Sequence, residues 1–123
     1  MHKYRELKVW QRSLAYTITL YRAAEQHFPS DERFGLTSQI RRAGSSIPMN
    51  IAEGAGCGTN REFGRFLEMA LRSGYEVMTV IDIARGLDYL PDATADSLMT
   101  EANEIVAMIV GLLKSLGWPF HDR

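Results

Sequence analysis

The chain has 123 residues, 46% of them hydrophobic and 24% charged. A domain of this size buries roughly two-thirds of its unfolded surface, and with Cys57 the sole cysteine a disulfide scaffold is excluded. The formal net charge of -1 hides an asymmetry: residues 1–72 hold 11 of the 14 Lys/Arg and 7 of the 15 Asp/Glu, and residues 73–123 hold the rest.

Met1 to Arg12 carries four bases and one acid without an apolar stretch, which is not a secretory leader. The first element with helical spacing follows, from about Glu6 to Gln26, with Leu7, Trp10, Leu14, Ile18 and Tyr21 as its apolar stripe. His27-Phe28-Pro29-Ser30 ends it, because proline disfavours helix in the residue before it.

The second helix is predicted from about Phe34 to Glu53, with Leu36, Ile40, Ala43, Ile47 and Ile51 facing the core. Its back face is small: Thr37, Gly44, Ser45, Pro48 and Ala52. Pro48 removes one helical hydrogen bond and crowds the carbonyl of Gly44, so a kink is expected. Gln39, Arg42, Ser46, Asn50 and Glu53 form a polar stripe on the flank of the core, either solvated or part of an interface.

Gly54-Ala55-Gly56-Cys57-Gly58 breaks the chain. Thr59 and Glu62 then form a capping box, the hydroxyl serving the Glu62 amide and the carboxylate returning to the Thr59 amide. The third helix runs on to Pro91 with Phe63, Leu67, Ala70, Gly74, Val77, Ile81 and Ala84 as its core stripe. Asp92 or Thr94 caps a fourth helix that reaches Leu116, with Leu98, Ala102, Ile105, Ile109, Leu112 and Leu116 inward. Its apolar run Ile105–Leu113 is about half of the ~20 residues that a membrane span needs, so a cytoplasmic protein with no membrane partner is expected.

Four helices with short connections predict an all-α fold, an antiparallel up-down-up-down four-helix bundle. It forms a single domain over residues 1–123, with its core at about 6–116 and a short polar tail. The apolar arc of helix four is roughly 200° wide, against a little over 100° for one buried stripe. Helix three carries Phe66, Met69, Val80, Ile83 and Leu87 beside its core stripe. Either the core is broad or a second face is buried by self-association.

Enzyme chemistry is not indicated. His2, His27 and His121 are far apart, and none has a glutamate at the spacing of a metal motif. Cys57 has no nearby histidine, and its glycine-rich loop follows a helix and lacks the Gly-Lys-Ser/Thr ending of a phosphate loop. No catalytic, metal or cofactor-binding residue is assigned. Arg61, Arg65 and Arg72 align on one face of helix three, with Glu68 among them. They form either a solvated face of intrahelical pairs or a ligand surface.

The run Phe34-Gly35-Leu36-Thr37-Ser38-Gln39-Ile40-Arg41-Arg42-Ala43, then Ser46-Ile47-Pro48 and Asn50-Ile51-Ala52-Glu53-Gly54, resembles the four-helix-bundle family of 23S ribosomal RNA intervening sequence proteins. Leu7-Lys8-Val9-Trp10-Gln11, Phe28-Pro29, Glu62-Phe63, Arg65-Phe66-Leu67, Leu87-Asp88-Tyr89-Leu90 and Lys114-Ser115-Leu116 support it along nearly the whole chain. The resemblance implies a bundle that assembles as a ring, a homopentamer, with no catalytic activity or cofactor. The motif positions it carries over are Trp10, Gln11, Gln39, Arg41, Arg42, Ser46, Pro48, Asn50, Glu53 and Gly54. The family often has a base soon after the Glu-Gly that ends helix two. Here none precedes Arg61, so no phosphate contact is expected from this loop.

The expected function is that of a non-enzymatic oligomer associating with structured RNA or a ribonucleoprotein. Phosphate contacts would come from Lys3, Arg5, Lys8 and Arg12 with Arg61, Arg65 and Arg72, and Glu101 and Glu104 would lie on the outer side of helix four. Little base preference is expected, because no aromatic stacking platform is visible in the sequence. The alternative is a protein-interaction scaffold with no nucleic-acid role, which the pI of about 6.3 favours.

Overall fold

A computed structural model describes residues 1–120. Four helices make up almost all of it: α1 (Lys8–His27), α2 (Leu36–Ala55), α3 (Asn60–Gly86) and α4 (Asp92–Ser115). Short 3₁₀ turns at Tyr4–Glu6 and Ser30–Glu32 precede α1 and α2. The described residues include no strand, and no helix among them is long and apolar enough to cross a membrane.

Local chemistry fixes the ends. Phe28, before Pro29, turns extended while its N–H still donates to the Ala24 carbonyl at 2.9 Å. The Glu32 carboxylate accepts from the first amide of α2, Leu36, at 3.1 Å. Thr59 Oγ1 accepts from the Glu62 amide at 3.1 Å, as expected, but the Thr59 hydroxyl donates to the Glu62 carboxylate at 3.2 Å, so the carboxylate meets the hydroxyl and not the Thr59 amide. α3 stops before Pro91 is reached. Asp88 adopts the left-handed conformation (φ 61°), and the amides of Asp88 and Tyr89 close back onto Arg85 and Ala84, which satisfies the last carbonyls. Pro91 takes the N-cap position of α4, so neither Asp92 nor Thr94 caps it. Gly117 (φ 74°) ends α4 with the same pair of bonds, Gly117 N–H to Lys114 and Trp118 N–H to Leu113.

Contacts between neighbouring helices run in opposite order along the two helices of each pair. Between α1 and α2, Thr17 meets Gly44 and Tyr21 meets Arg41. Between α2 and α3, Gly54 lies against Phe63 and Phe66, Ser46 against Ser73, and Arg42 against Glu76. Trp118, beyond α4, lies on Gly64 near the start of α3, and Arg85 near the end of α3 meets Asp96 near the start of α4. One core joins all four helices, with Leu20, Ile40, Ile47, Ile51, Phe63, Leu67, Leu71, Ile81, Ile105, Ile109 and Leu113 fully buried.

The predicted inward stripe holds on α3, and on α2 from Ile40 to Ile51, with Leu36 half-buried. On α4, Leu113 is buried while Leu112 and Leu116 are half-buried. Met99, Val106 and Val110 are half-buried and pack against the core, so part of the wide arc of α4 belongs to a broad core. On α3, Val80 is buried, whereas Met69, Ile83 and Leu87 stay exposed.

α1 departs furthest from expectation. Leu14, Ile18 and Tyr21 are 40%, 45% and 41% exposed, and the buried face is Val9, Ser13, Tyr16, Thr17, Leu20, Ala23 and Ala24. At about 100° per residue the two faces differ by roughly 120°. Polar bonds set the observed rotation. Pro48 has no N–H to offer the Gly44 carbonyl four residues back, and α2 runs through Pro48 as one helix. The Thr17 hydroxyl of α1 donates to that carbonyl at 2.9 Å. The Thr17 hydroxyl oxygen also lies 2.8 Å from the Ser13 carbonyl oxygen, but that carbonyl is placed to receive the Thr17 amide within α1. Gly44 makes the approach possible, because a Cβ there would lie 2.8 Å from Leu20 Cδ1.

On its other side α1 reaches α4 through Tyr16, whose buried hydroxyl donates to the Leu98 carbonyl at 2.8 Å. Burial, and then the nearby Glu101 charge, push the Tyr16 phenol well above the ordinary tyrosine range. An unfolded tyrosine ionises at about pH 10. The stability that Tyr16 contributes by staying neutral is therefore complete below that pH and is lost as pH climbs past it. Tyr16→Phe is expected to cost about 1 kcal/mol at pH 8 and to make the alkaline loss of stability shallower. Urea unfolding across pH 8 to about 11 reads both effects.

Candidate functional site

The polar motif of α2 is neither a free stripe nor a buried network. It is a seam between α2 and α3. Ser46 Oγ meets Ser73 Oγ at 2.7 Å, and Asn50 Nδ2 donates to the Ser46 carbonyl and hydroxyl at 2.8 and 3.0 Å. Arg42 pairs with Glu76 at 2.8 Å, and Gln39 Nε2 reaches the same carboxylate at 3.5 Å. The Arg42 side chain is 68% exposed, so its ion pair is worth about 0–1 kcal/mol. Glu53 is exposed and stands outside the seam.

The remaining motif residues face elsewhere. Arg41 lies over the Tyr21 ring at 5.2 Å and Pro48 is buried toward α1. Trp10 packs edge-on against Tyr4 at 5.0 Å, and Gln11 donates to the Arg5 carbonyl at 2.7 Å, so the two together hold the N-terminal turn. Gly54 is a packing position, since a Cβ there would sit 2.8 Å from Phe66 Cβ and 2.9 Å from the Phe63 ring.

The N-terminal basic cluster is divided. Lys3, Arg5 and Lys8 are exposed, with Arg5 over the Tyr4 ring at 4.8 Å. Arg12 does not join them. It turns onto α4, where Nε and Nη2 donate to both Glu101 oxygens at 3.1 and 2.5 Å and Nη2 also meets Glu104. The carboxylates raise the Arg12 pKa, Glu101 first, and Arg12 in turn holds the Glu104 carboxyl below the usual carboxylate range. Glu101 and Glu104 therefore join α1 to α4 instead of forming an outer acidic face.

Arg61, Arg65 and Arg72 are exposed, and among the described residues none of them pairs with Glu68 or any other carboxylate. The expected intrahelical pairs are not formed. Arg61, Arg65 and Arg72 instead line a cleft of about 740 Å³ together with Trp118, Pro119 and Phe120. Sequence reasoning missed this cleft. Gly117 in the left-handed conformation turns the chain back after α4, and Gly64 leaves room for the Trp118 ring. The only sequence signal was Gly117-Trp118-Pro119 read as a helix stop.

His2 lies against Phe63 at 5.0 Å, His27 is half-buried at the end of α1, and His121 falls outside the described residues. Cys57 is half-buried with Sγ 3.5 Å from the Glu53 carbonyl. Among the described residues no three His, Cys, Asp or Glu are grouped to hold a metal ion.

Residues 5–111 match the family described as 23S rRNA-intervening sequence protein. A solved protein of unknown function from the S23 ribosomal protein family of Bacteroides thetaiotaomicron is similar in fold. Its TM-score is 0.78 at 22% identity, over 86% of this chain and 98% of that one. No curated protein matches the sequence.

The position of Trp118 can be tested through Gly64. A Cβ there would lie 2.2 Å from Trp118 Cε3 and 2.5 Å from Cζ3. Gly64→Ala is expected to displace the indole, to cost about 1–3 kcal/mol and to shift tryptophan emission toward the red. The shift is read in a Trp10→Phe background, where Trp118 is the remaining tryptophan.

Proposed function

The chain belongs to the 23S rRNA-intervening sequence protein family, and from that premise we propose that it is a non-enzymatic, homo-oligomeric bundle that associates with structured RNA or a ribonucleoprotein. The subunit is an up-down-up-down bundle, a topology supported by the opposed order of contacts between its helices. Subunits join as a ring, a homopentamer, in the cytoplasm and without a membrane partner.

The observation that carries the RNA reading is how the arginines are used. Arg12, Arg42 and Arg85 are engaged with carboxylates of neighbouring helices. Arg61, Arg65 and Arg72 share one face without such partners, and Lys3, Arg5 and Lys8 add a second exposed basic cluster. A ring would repeat these patches around one assembly, so weak contacts to a long polyanion would add up even at a net charge of -1. Arg12, held by two carboxylates, is no longer one of the proposed phosphate contacts.

Self-association is supported by the apolar face that α1 leaves outward, Leu14, Ile18 and Tyr21, and α2 exposes Met49 as well. The same surface favours the second reading, a scaffold whose ring binds partner proteins and no nucleic acid.

Light scattering at micromolar concentration is expected to give a single oligomer of about five subunits that Ile18→Glu dissociates without unfolding it. A stable wild-type monomer would refute the assembly. Binding to structured RNA is expected to weaken as salt rises, because each phosphate contact releases a counterion. Replacing Lys3, Arg5 and Lys8 with Ala should flatten that dependence and leave the oligomer intact. No binding even at low salt would leave the scaffold reading.

A further inference from the structure

We propose that the cleft between α3 and the turn after α4 seats an unpaired stretch of RNA, with its phosphates on Arg61, Arg65 and Arg72 and a base against Trp118 or Phe120. This deepens the RNA reading and rests on it. It also replaces the expectation that no aromatic platform is present, since that platform arises only when the chain after Gly117 folds back over α3.

Three features define the ligand. Arg61 and Arg72 are eleven residues apart, so the guanidinium row follows roughly 16 Å of helix axis. That is too long for one phosphate to engage and suits successive phosphates of a strand. The volume of about 740 Å³ lies in the range of sites that enclose small organic molecules, so a base can enter with its sugar. The lining is chemically mixed, with arginines from α3 and aromatic residues from the turn after α4. Single-strand sites combine these same two elements, a basic track for the backbone and aromatic faces for the bases.

A duplex fits less well. Its bases are stacked inside an A-form helix and cannot reach a ring in a concave site. The half-buried Glu68 also lines the cleft. Among the described residues of the lining, three arginines stand against one carboxylate, which leaves the field there positive.

The test is fluorescence titration of the Trp10→Phe protein, so that Trp118 reports alone, with three probes. They are a single-stranded RNA of about ten nucleotides, the same sequence as a duplex, and poly-glutamate. Quenching by the single strand at concentrations where the duplex and poly-glutamate leave the signal unchanged is the expected result. Joint replacement of Arg61, Arg65 and Arg72 with Ala should weaken binding at least about tenfold. It should also make the salt slope less negative by about 2, at roughly 0.7 per phosphate contact on single strands. Phe120→Leu should weaken binding about fivefold or more by removing one stacking face. Trp118→Leu should do the same where its melting curve shows a folded protein, and Phe120→Leu carries the test where it does not.

Equal binding of single strand and duplex without a Trp118 response, unchanged by the triple replacement, would overturn the cleft while leaving RNA association standing. Quenching by poly-glutamate equal to that by RNA would assign the cleft to acidic peptides and overturn it as well. No binding of either RNA at low salt would remove both the cleft and the RNA reading.

Discussion

A proline inside α2 creates a carbonyl that α2 itself cannot satisfy in the usual way, and the position of α1 follows from how that carbonyl is met. Pro48 offers no amide to Gly44, and the Thr17 hydroxyl of α1 takes its place at 2.9 Å. A buried carbonyl left without a partner costs about 1–3 kcal/mol, enough to favour one rotation of a helix whose alternative faces are both partly apolar. Gly44, with no Cβ, lets Leu20 close over the contact. With Thr17 held against α2, Tyr16 and Arg12 fall toward α4, where they meet Leu98, Glu101 and Glu104. Leu14, Ile18 and Tyr21 are left facing outward.

This constraint explains where the sequence could be read and where it could not. The four helices and the inward faces of α2 and α3 follow from spacing, because Ile40, Ile47 and Ile51, or Phe63, Leu67 and Ile81, have no polar competitor for the core. In α1 the most apolar stripe is the outer one. A reading by hydrophobicity assigns Leu14 and Ile18 to the core and overlooks Ser13 and Thr17, which are buried because their hydroxyls are bonded to backbone carbonyls. The Thr17–Gly44 pair is 27 residues apart in sequence, and no local pattern announces it. Pro48 was visible as a missing bond, but which group would supply the replacement was not.

The basic residues divide along similar lines. Spacing placed Arg61, Arg65 and Arg72 on one face, but whether they pair with Glu68 or face an open cleft depends on side-chain positions that spacing does not fix. Arg12 reads as part of an N-terminal cluster because Lys3, Arg5 and Lys8 are its neighbours in sequence. In the fold, its nearest carboxylates come from α4, far along the chain. The aromatic residues of the cleft come from a segment that reads as a helix stop, Gly117-Trp118-Pro119, and the start of a short polar tail. They reach the cleft because a left-handed glycine and a glycine on α3 together turn Trp118 back onto the bundle. Arginines engaged between helices act on the fold, and those left along the cleft remain available to a ligand.

The orientation of α1 is tested most directly by a double-mutant cycle between Thr17→Val and Pro48→Ala, read as urea unfolding at one fixed protein concentration. With Pro48 present, Thr17→Val leaves the Gly44 carbonyl without its partner and is expected to cost about 1–3 kcal/mol. With Ala at position 48 the new amide can reach that carbonyl, so the same change should cost less, by a coupling of about 1 kcal/mol or more. Equal costs in the two backgrounds would mean that the proline and the threonine do not share the carbonyl, and that something else sets the rotation of α1.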